Sequence, residues 1–190
     1  MVYPTSLCSK IWGKEVAEIL ISHGANVNSI VNNEKTPLQF AAENGKKEVT
    51  EFLLSHGADV NSPDVTGWTP LHFAVKNSSN EIAQLLIWHG AKIEAKNSDF
   101  ETPLHVAVRE GQIDNVKLLI KYHEDVHALT RHGWSILFIA HFHGKDEVEA
   151  FLKSIKVDKK LKKKKIINTY LDIDIIIQKK KKHANVIKIR

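Results

Sequence analysis

A single cysteine, a single methionine and five prolines are spread over 190 residues, and aromatic side chains make up only 7% of them. Cys8 alone permits no internal disulfide, which points to a reducing compartment. No run approaches the roughly 18 apolar residues that a membrane-spanning helix requires. The chain does not open on the charged, apolar and small-residue series of a secretory signal either. A soluble cytoplasmic protein, or a nuclear one, is expected. Gly-rich phosphate loops and Gly-x-Ser-x-Gly nucleophile elbows are also missing. Those absences argue against an enzyme, and no cofactor is expected.

What the chain has is an interval. Thr36-Pro37-Leu38-Gln39, Thr69-Pro70-Leu71-His72, Thr102-Pro103-Leu104-His105 and the eroded Ser135-Ile136-Leu137-Phe138 start 33 residues apart, without insertion or deletion. A fixed period of this size marks a stacked array and not a single globular core. Within each period, Thr before Pro reads as a helix start. The hydroxyl can accept a bond from a free backbone N–H, and Pro at the first helical position gives up a donor that had no partner. Small apolar residues follow at Ala41-Ala42, Ala74-Val75, Ala107-Val108 and Ile139-Ala140, where they let helices approach closely. A break near Gly45, Ser78, Gly111 or Gly144 leads to a second helix with an acidic first turn, at Glu48, Glu81, Asp114 and Glu147. Its apolar stripe has helical spacing: Val49, Phe52 and Leu53, then Ile82, Leu85 and Leu86. It is weaker at Val116, Leu118 and Leu119, and returns at Val148, Phe151 and Leu152. His-Gly-Ala at 23–25, 56–58 and 89–91 ends the helix, with Gly in the left-handed position.

This succession of helix, turn, helix, Gly stop and polar linker resembles the ankyrin repeat family over roughly residues 1–157. The resemblance implies an all-α solenoid of stacked helix-turn-helix units with short hairpin fingers along one edge. It also implies a non-enzymatic protein-protein interaction module, with hairpin tips and the concave face of the first helices gripping the partner. Repeats are expected near 29–61, 62–94 and 95–127, with a degenerate first repeat at 1–28 and a degenerate last one at 128–157. In the first, Pro4 keeps the register with Pro37, but the first-helix chemistry of Thr5 to Trp12 has decayed. Ile11, Trp12, Val16 and Ile19 then lack a preceding repeat to cover them.

Charge divides the chain sharply. Residues 1–155 carry 14 Lys or Arg against 19 Asp or Glu, a balance of −5, while residues 156–190 carry 13 against 3, a balance of +10. The tail, 158–190, is a Lys-rich low-complexity segment expected to stay solvated and disordered. Between its two Lys clusters, Tyr170 to Ile175 alternates with strand period. The alternative to a bland extension is an electrostatic handle. Clusters 159–165 and 179–182 would then bind an import receptor, nucleic-acid phosphates or an acidic membrane surface, making the chain a tethering or nuclear factor. Neither cluster contains Arg or interleaved aromatics, so any nucleic-acid affinity should be non-specific and salt-sensitive.

His123-Glu124-Asp125-Val126-His127 matches the H-E-x-x-H zinc-protease pattern, which needs both imidazoles on one helical turn. The register argues against a metal, because His123 and Glu124 stand where Gly90 and Ala91 end the previous helix. His123 is better read as a replaced Gly. His23, His56 and His89 share one repeat position and His72 and His105 another, so both sets are expected to bond backbone at repeat junctions. His132, His141 and His143 fall outside these sets, without partners at metal-ligand spacing.

The surface residues that differ between repeats are the expected partner-binding ones. Just before each helix start stand Lys35, Trp68, Glu101 and Trp134, the tryptophans being candidate anchors unless each packs on its neighbouring finger. After the small pair come Glu43 and Asn44, Lys76 and Asn77, Arg109 and Glu110, then His141 and Phe142 in a frame shifted by the last repeat. Their mixed charge suits a polar protein partner with a few apolar anchors. The turn glycines Gly67 and Gly133 correspond to Phe100 and Glu34 in two other fingers. Those hairpins are expected to be distorted, or rebuilt with Asp99 and Asn33 taking the turn.

Overall fold

A computed structural model of the chain describes residues 13–30 and 35–155. Cys8, the segment from Pro4 to Trp12, the turn at Asn33-Glu34 and the Lys-rich tail lie outside the described residues. The described residues form nine helices: α1 (Lys14–Ser22), α2 (Pro37–Glu43), α3 (Lys47–Ser55), α4 (Pro70–Lys76), α5 (Asn80–Trp88), α6 (Pro103–Glu110), α7 (Ile113–Lys121), α8 (Ile136–Phe142) and α9 (Asp146–Ser154). Among them there is no strand, and one isolated antiparallel bridge joins Leu129 to Ser135. The chain divides into two compact units, Met1–Glu149 and Ala150–Arg190. Of the second only residues 150–155 are described, where the Ser154 hydroxyl and the Ile155 N–H both donate to the Phe151 carbonyl.

In the first unit the even-numbered helices start as their sequences require. Thr36 caps α2 reciprocally: the Gln39 N–H donates to its hydroxyl at 3.3 Å, and its own N–H donates to Gln39 Oε1 at 2.7 Å. Pro37, Pro70 and Pro103 occupy the first helical positions. Ser135 keeps the cap of α8 without the proline, accepting from the Phe138 N–H at 3.2 Å. Seven or eight residues later each of these helices stops the same way. Gly45, Ser78, Gly111 and Gly144 all take positive φ, and the next N–H returns to a helix carbonyl. Lys46 bonds Ala41, Ser79 bonds Ala74, Gln112 bonds Ala107 and Lys145 bonds Ala140. The four bonds fall 33 residues apart, so the last repeat is in phase and the expected frame shift does not occur. Ala140 matches Ala107, His141 occupies the site of Val108, and Phe142 that of Arg109.

First helices stack on first helices, α2 on α4 on α6 on α8, and second on second, α1 on α3 on α5 on α7. The close approach depends on Ala41, Ala74, Ala107 and Ala140, all fully buried. Leu71 and Leu104 lie fully buried beside them, so Leu71→Ala should cost about 2–5 kcal/mol.

Consecutive repeats are tied by buried polar groups. Gln39 Nε2 donates to the carbonyls of Ser62 and Trp68 at 2.7 and 3.1 Å. In the next repeat His72 accepts the Thr69 N–H on Nδ1, so Nε2 carries the proton and donates to the Glu101 carbonyl at 3.2 Å. His105 repeats this with Thr102 and the Ala128 carbonyl. Burial drives His72 down to about 4 and lowers His105, so both stay neutral. His23 and His56 instead bond the Ile19 and Phe52 carbonyls of their own helices, not a junction. On the opposite edge, Asn28 and Asn61 stitch successive loops. Asn61 donates to the Gly90 carbonyl and accepts the Lys92 N–H, as Asn28 does with Gly57 and Asp59.

The finger turn at Phe100 is neither distorted nor rebuilt around Asp99. Phe100 itself takes φ 59°, against 80° for Gly67 and 73° for Gly133. The turn bonds match: Phe100 N–H to the Asn97 carbonyl at 2.9 Å, as Gly67 N–H to Asp64. What holds Phe100 there is Asn97, whose Oδ1 accepts the Asp99 and Glu101 N–H groups at 2.9 Å each. Asp64 does the same for Thr66 and Trp68. A side-chain acceptor at 64 and 97 fixes the turn, leaving the φ > 0 position open to a non-Gly residue at some cost.

Candidate functional site

Each finger base and the end of the following first helix are brought together, although eight residues separate them. Lys35 Nζ lies 2.8 Å from Glu43 Oε2. Lys76 Nζ lies 5.5 Å over the Trp68 ring. The Arg109 guanidinium pairs with the Glu101 carboxylate. The Trp134 and Phe142 rings lie 5.7 Å apart. We call each such pair a clasp: the same two positions meet in these four repeats while the chemistry changes from ion pair to cation on aromatic, to ion pair, to aromatic on aromatic.

Eight of the residues singled out from the sequence, Lys35, Glu43, Trp68, Lys76, Glu101, Arg109, Trp134 and Phe142, are therefore partners of a clasp and not independent contacts. Both tryptophans meet aromatic rings of their own repeat. Trp68 lies along its own helix, 5.6 Å from His72 and 5.3 Å from Phe73, and Trp134 lies 5.2 Å from Phe138. Asn44, Asn77 and Glu110 are exposed at the helix ends beyond the clasps, where Asn44 Nδ2 bonds the Phe40 carbonyl. His141, in the site of a buried valine, is turned outward with Nδ1 3.2 Å from Glu149 Oε2.

The sequence reading passed over three contributors. Phe73 takes Lys35 Nζ 4.3 Å above its ring, which joins the first clasp to the second. Phe138 stands where Gln39, His72 and His105 make their junction bonds, and its ring stacks on Phe142 at 5.9 Å. Arg131 lies 5.4 Å over Phe100, joining two fingers that are already linked by the Arg131 N–H to the Asp99 carbonyl. Phenylalanines at 40 and 73 share one register position, a recurrence visible in the sequence.

The H-E-x-x-H residues do not lie on one helical turn. Helix α7 ends at Lys121, and His123 takes φ 67°, the left-handed conformation of Gly57 and Gly90. Glu124, at the site of Ala58 and Ala91, is drawn inside and is only 4% exposed. One carboxyl oxygen accepts the Leu104 N–H at 3.1 Å, and the other has no hydrogen-bond partner. Burial pushes this carboxyl up to about 8, with Glu94 and Asp125 adding to the rise and the Thr102 hydroxyl and Leu104 N–H opposing it. Among the described residues no cluster of three His, Cys, Asp or Glu could hold a metal. No helix among them is long and apolar enough to cross a membrane.

Residues 6–97 and 89–163 match a family model described as Ankyrin repeats (3 copies). No curated protein matches the chain.

Proposed function

Because the chain belongs to the ankyrin repeat family, whose repeats generally mediate protein-protein interaction and are typically non-enzymatic, we propose that the row of clasps is the surface that grips a protein partner. The observation behind this is the contrast between constant and variable positions. Beneath the surface the same caps, alanines and junction bonds recur every 33 residues, whereas the four clasps carry three different chemistries. A repeated frame holding non-repeated side chains suits recognition of one extended, chemically varied segment. Trp68 and Trp134 supply the aromatic area that dominates interface energies, and the two ion-pair clasps that alternate with them set register. Asn44, Asn77 and Glu110 form the polar rim.

The test compares two variants. Capture of a partner by the repeats should survive deletion of 157–190 and be lost with Trp68→Ala combined with Trp134→Ala. If deletion of the tail abolishes capture while the double substitution changes nothing, the chain is a tethering or nuclear factor acting through its lysines. In that case binding falls steeply with added salt. A cytoplasmic or nuclear location fits either outcome.

A further inference from the structure

On the edge opposite the fingers, the loop after a second helix presents a carbonyl and, two residues on, an N–H to the preceding repeat. In two junctions one carboxamide answers both. Asn28 Nδ2 donates to the Gly57 carbonyl at 3.1 Å, and its Oδ1 accepts the Asp59 N–H at 2.8 Å. Asn61 makes the same two bonds with the Gly90 carbonyl and the Lys92 N–H, at 3.1 and 2.7 Å. The corresponding groups of the next junction are the His123 carbonyl and the Asp125 N–H. His123 keeps the left-handed backbone of Gly57 and Gly90, with φ 67° against 84° and 88°. Position 94, however, carries an exposed Glu, and among the described residues neither backbone group has a hydrogen-bond partner. His123 also lines an open cleft of about 440 Å³ together with Ile93, Glu94 and Tyr122.

We propose that this cleft binds an Asn side chain presented by a peptide segment, its carboxamide bridging the His123 carbonyl and the Asp125 N–H as Asn61 bridges Gly90 and Lys92. A carboxamide carries donor and acceptor on one planar head, and the chain itself uses it at both equivalent junctions. Ile93 and Tyr122 offer apolar surface to the residues flanking the Asn, which points to a peptide and not to a free amide. The site also discriminates against the closest analogue. An Asp in the same place has no N–H for the His123 carbonyl and stands beside Glu94. Lys92, in the same lining, offsets the repulsion from Glu94, so the discrimination rests on the missing donor. The clasps lie at the finger bases, on the other edge. The ligand of the cleft is therefore distinct from a partner held along the clasps, and each can bind without the other.

The experiment follows the backbone amide resonances of the full-length protein while the peptide N-acetyl-Leu-Asn-Leu amide is added. The peptide N-acetyl-Leu-Asp-Leu amide and propionamide serve as controls. The Asp125 resonance should move and saturate with the Asn peptide, and binding of the Asp peptide should be about tenfold weaker. The Lys92 resonance, whose N–H is already bonded to Asn61, should move far less. Glu94→Asn supplies the carboxamide from within, so in that variant, still folded, Asp125 should no longer respond. An Asp125 resonance that ignores the Asn peptide, follows the Asp peptide equally well, or still responds in Glu94→Asn overturns the proposal. Propionamide that matches the Asn peptide at equal concentration overturns it too, because the site would then take any small amide.

Discussion

Two neighbouring loops on the edge opposite the fingers occupy the same repeat position and are built differently. After α5 the chain runs Gly90-Ala91, and Asn61 of the previous repeat bonds both the Gly90 carbonyl and the Lys92 N–H. After α7 it runs His123-Glu124, and the residue standing in place of Asn61 is Glu94. A carboxylate has no N–H to give to the His123 carbonyl, so that half of the stitch cannot form. At this junction there is instead an open cleft of about 440 Å³ lined by Ala91 to Ala95, Tyr122 and His123. In the same repeat Asn115 replaces Val49 and Ile82 in the interior and leaves its Oδ1 without a partner, as Glu124 leaves its Oε2. An array is about as strong as its repeats and their nearest-neighbour interfaces. The repeat at 95–127 is therefore the weak one, although its finger and cap are as regular as any.

Among changes at this junction the largest effect should come from Glu124→Ala, which restores the alanine of Ala58 and Ala91. Removing a buried, half-satisfied carboxyl should stabilise the array by about 1–3 kcal/mol at neutral pH, read as an upward shift in thermal midpoint. The gain depends on pH in a defined direction. Glu124 titrates near 8 when folded and near 4.5 when unfolded. Its contribution is complete below pH 4.5 and is lost as the pH rises through 8. Wild-type stability should fall between pH 4.5 and 8, most clearly on the alkaline side of the His72 window, above 6.5, and this limb should flatten in Glu124→Ala. The acid limb should remain in both. His72 sits near 4 in the fold against 6.5 unfolded, so its contribution is present above 6.5 and lost as the pH falls through 4. Parallel alkaline limbs in the two proteins would remove Glu124 from the account.

A smaller gain, about 0.5–1.5 kcal/mol, is expected from Glu94→Asn, which supplies the missing donor and acceptor. Denaturant unfolding can check it, with Asn61→Glu as the reverse experiment in the sound junction. His123→Gly should add about 1 kcal/mol or less by relieving the left-handed backbone. Lys35→Ala belongs at the bottom of the series. Its ion pair with Glu43 is partly exposed, and such pairs contribute about 0–1 kcal/mol.

The stacked fold was legible because its signals are local and repeat: Thr-Pro starts, small residues one turn later and Gly stops all lie within a few positions of what they control. His123 as a stand-in for glycine followed from the same register. The clasps were not legible as pairs. Their two members lie on different kinds of backbone, one before the helix and one at its end, so no single periodicity joins them. The frame shift inferred for the last repeat had a specific cause. Ile139-Ala140 looks like a small pair, but His141 occupies the second small site and turns outward to Glu149. Phe100 was misread because the turn is held by Asn97, three residues earlier, and not by the residue that must take positive φ. The burial of Glu124 could have been inferred from Ala58 and Ala91, but its unpaired oxygen required the positions of its neighbours.

The central claim is that a partner lies along the clasps, and amide hydrogen exchange of the full-length protein with and without bound partner tests it most directly. The account predicts slowed exchange at finger bases and first helices, in segments 64–76, 97–110 and 130–142, with little change at 88–95 and 121–125. Protection confined to the cleft beside Tyr122 and His123, or to the lysine-rich tail, would contradict it.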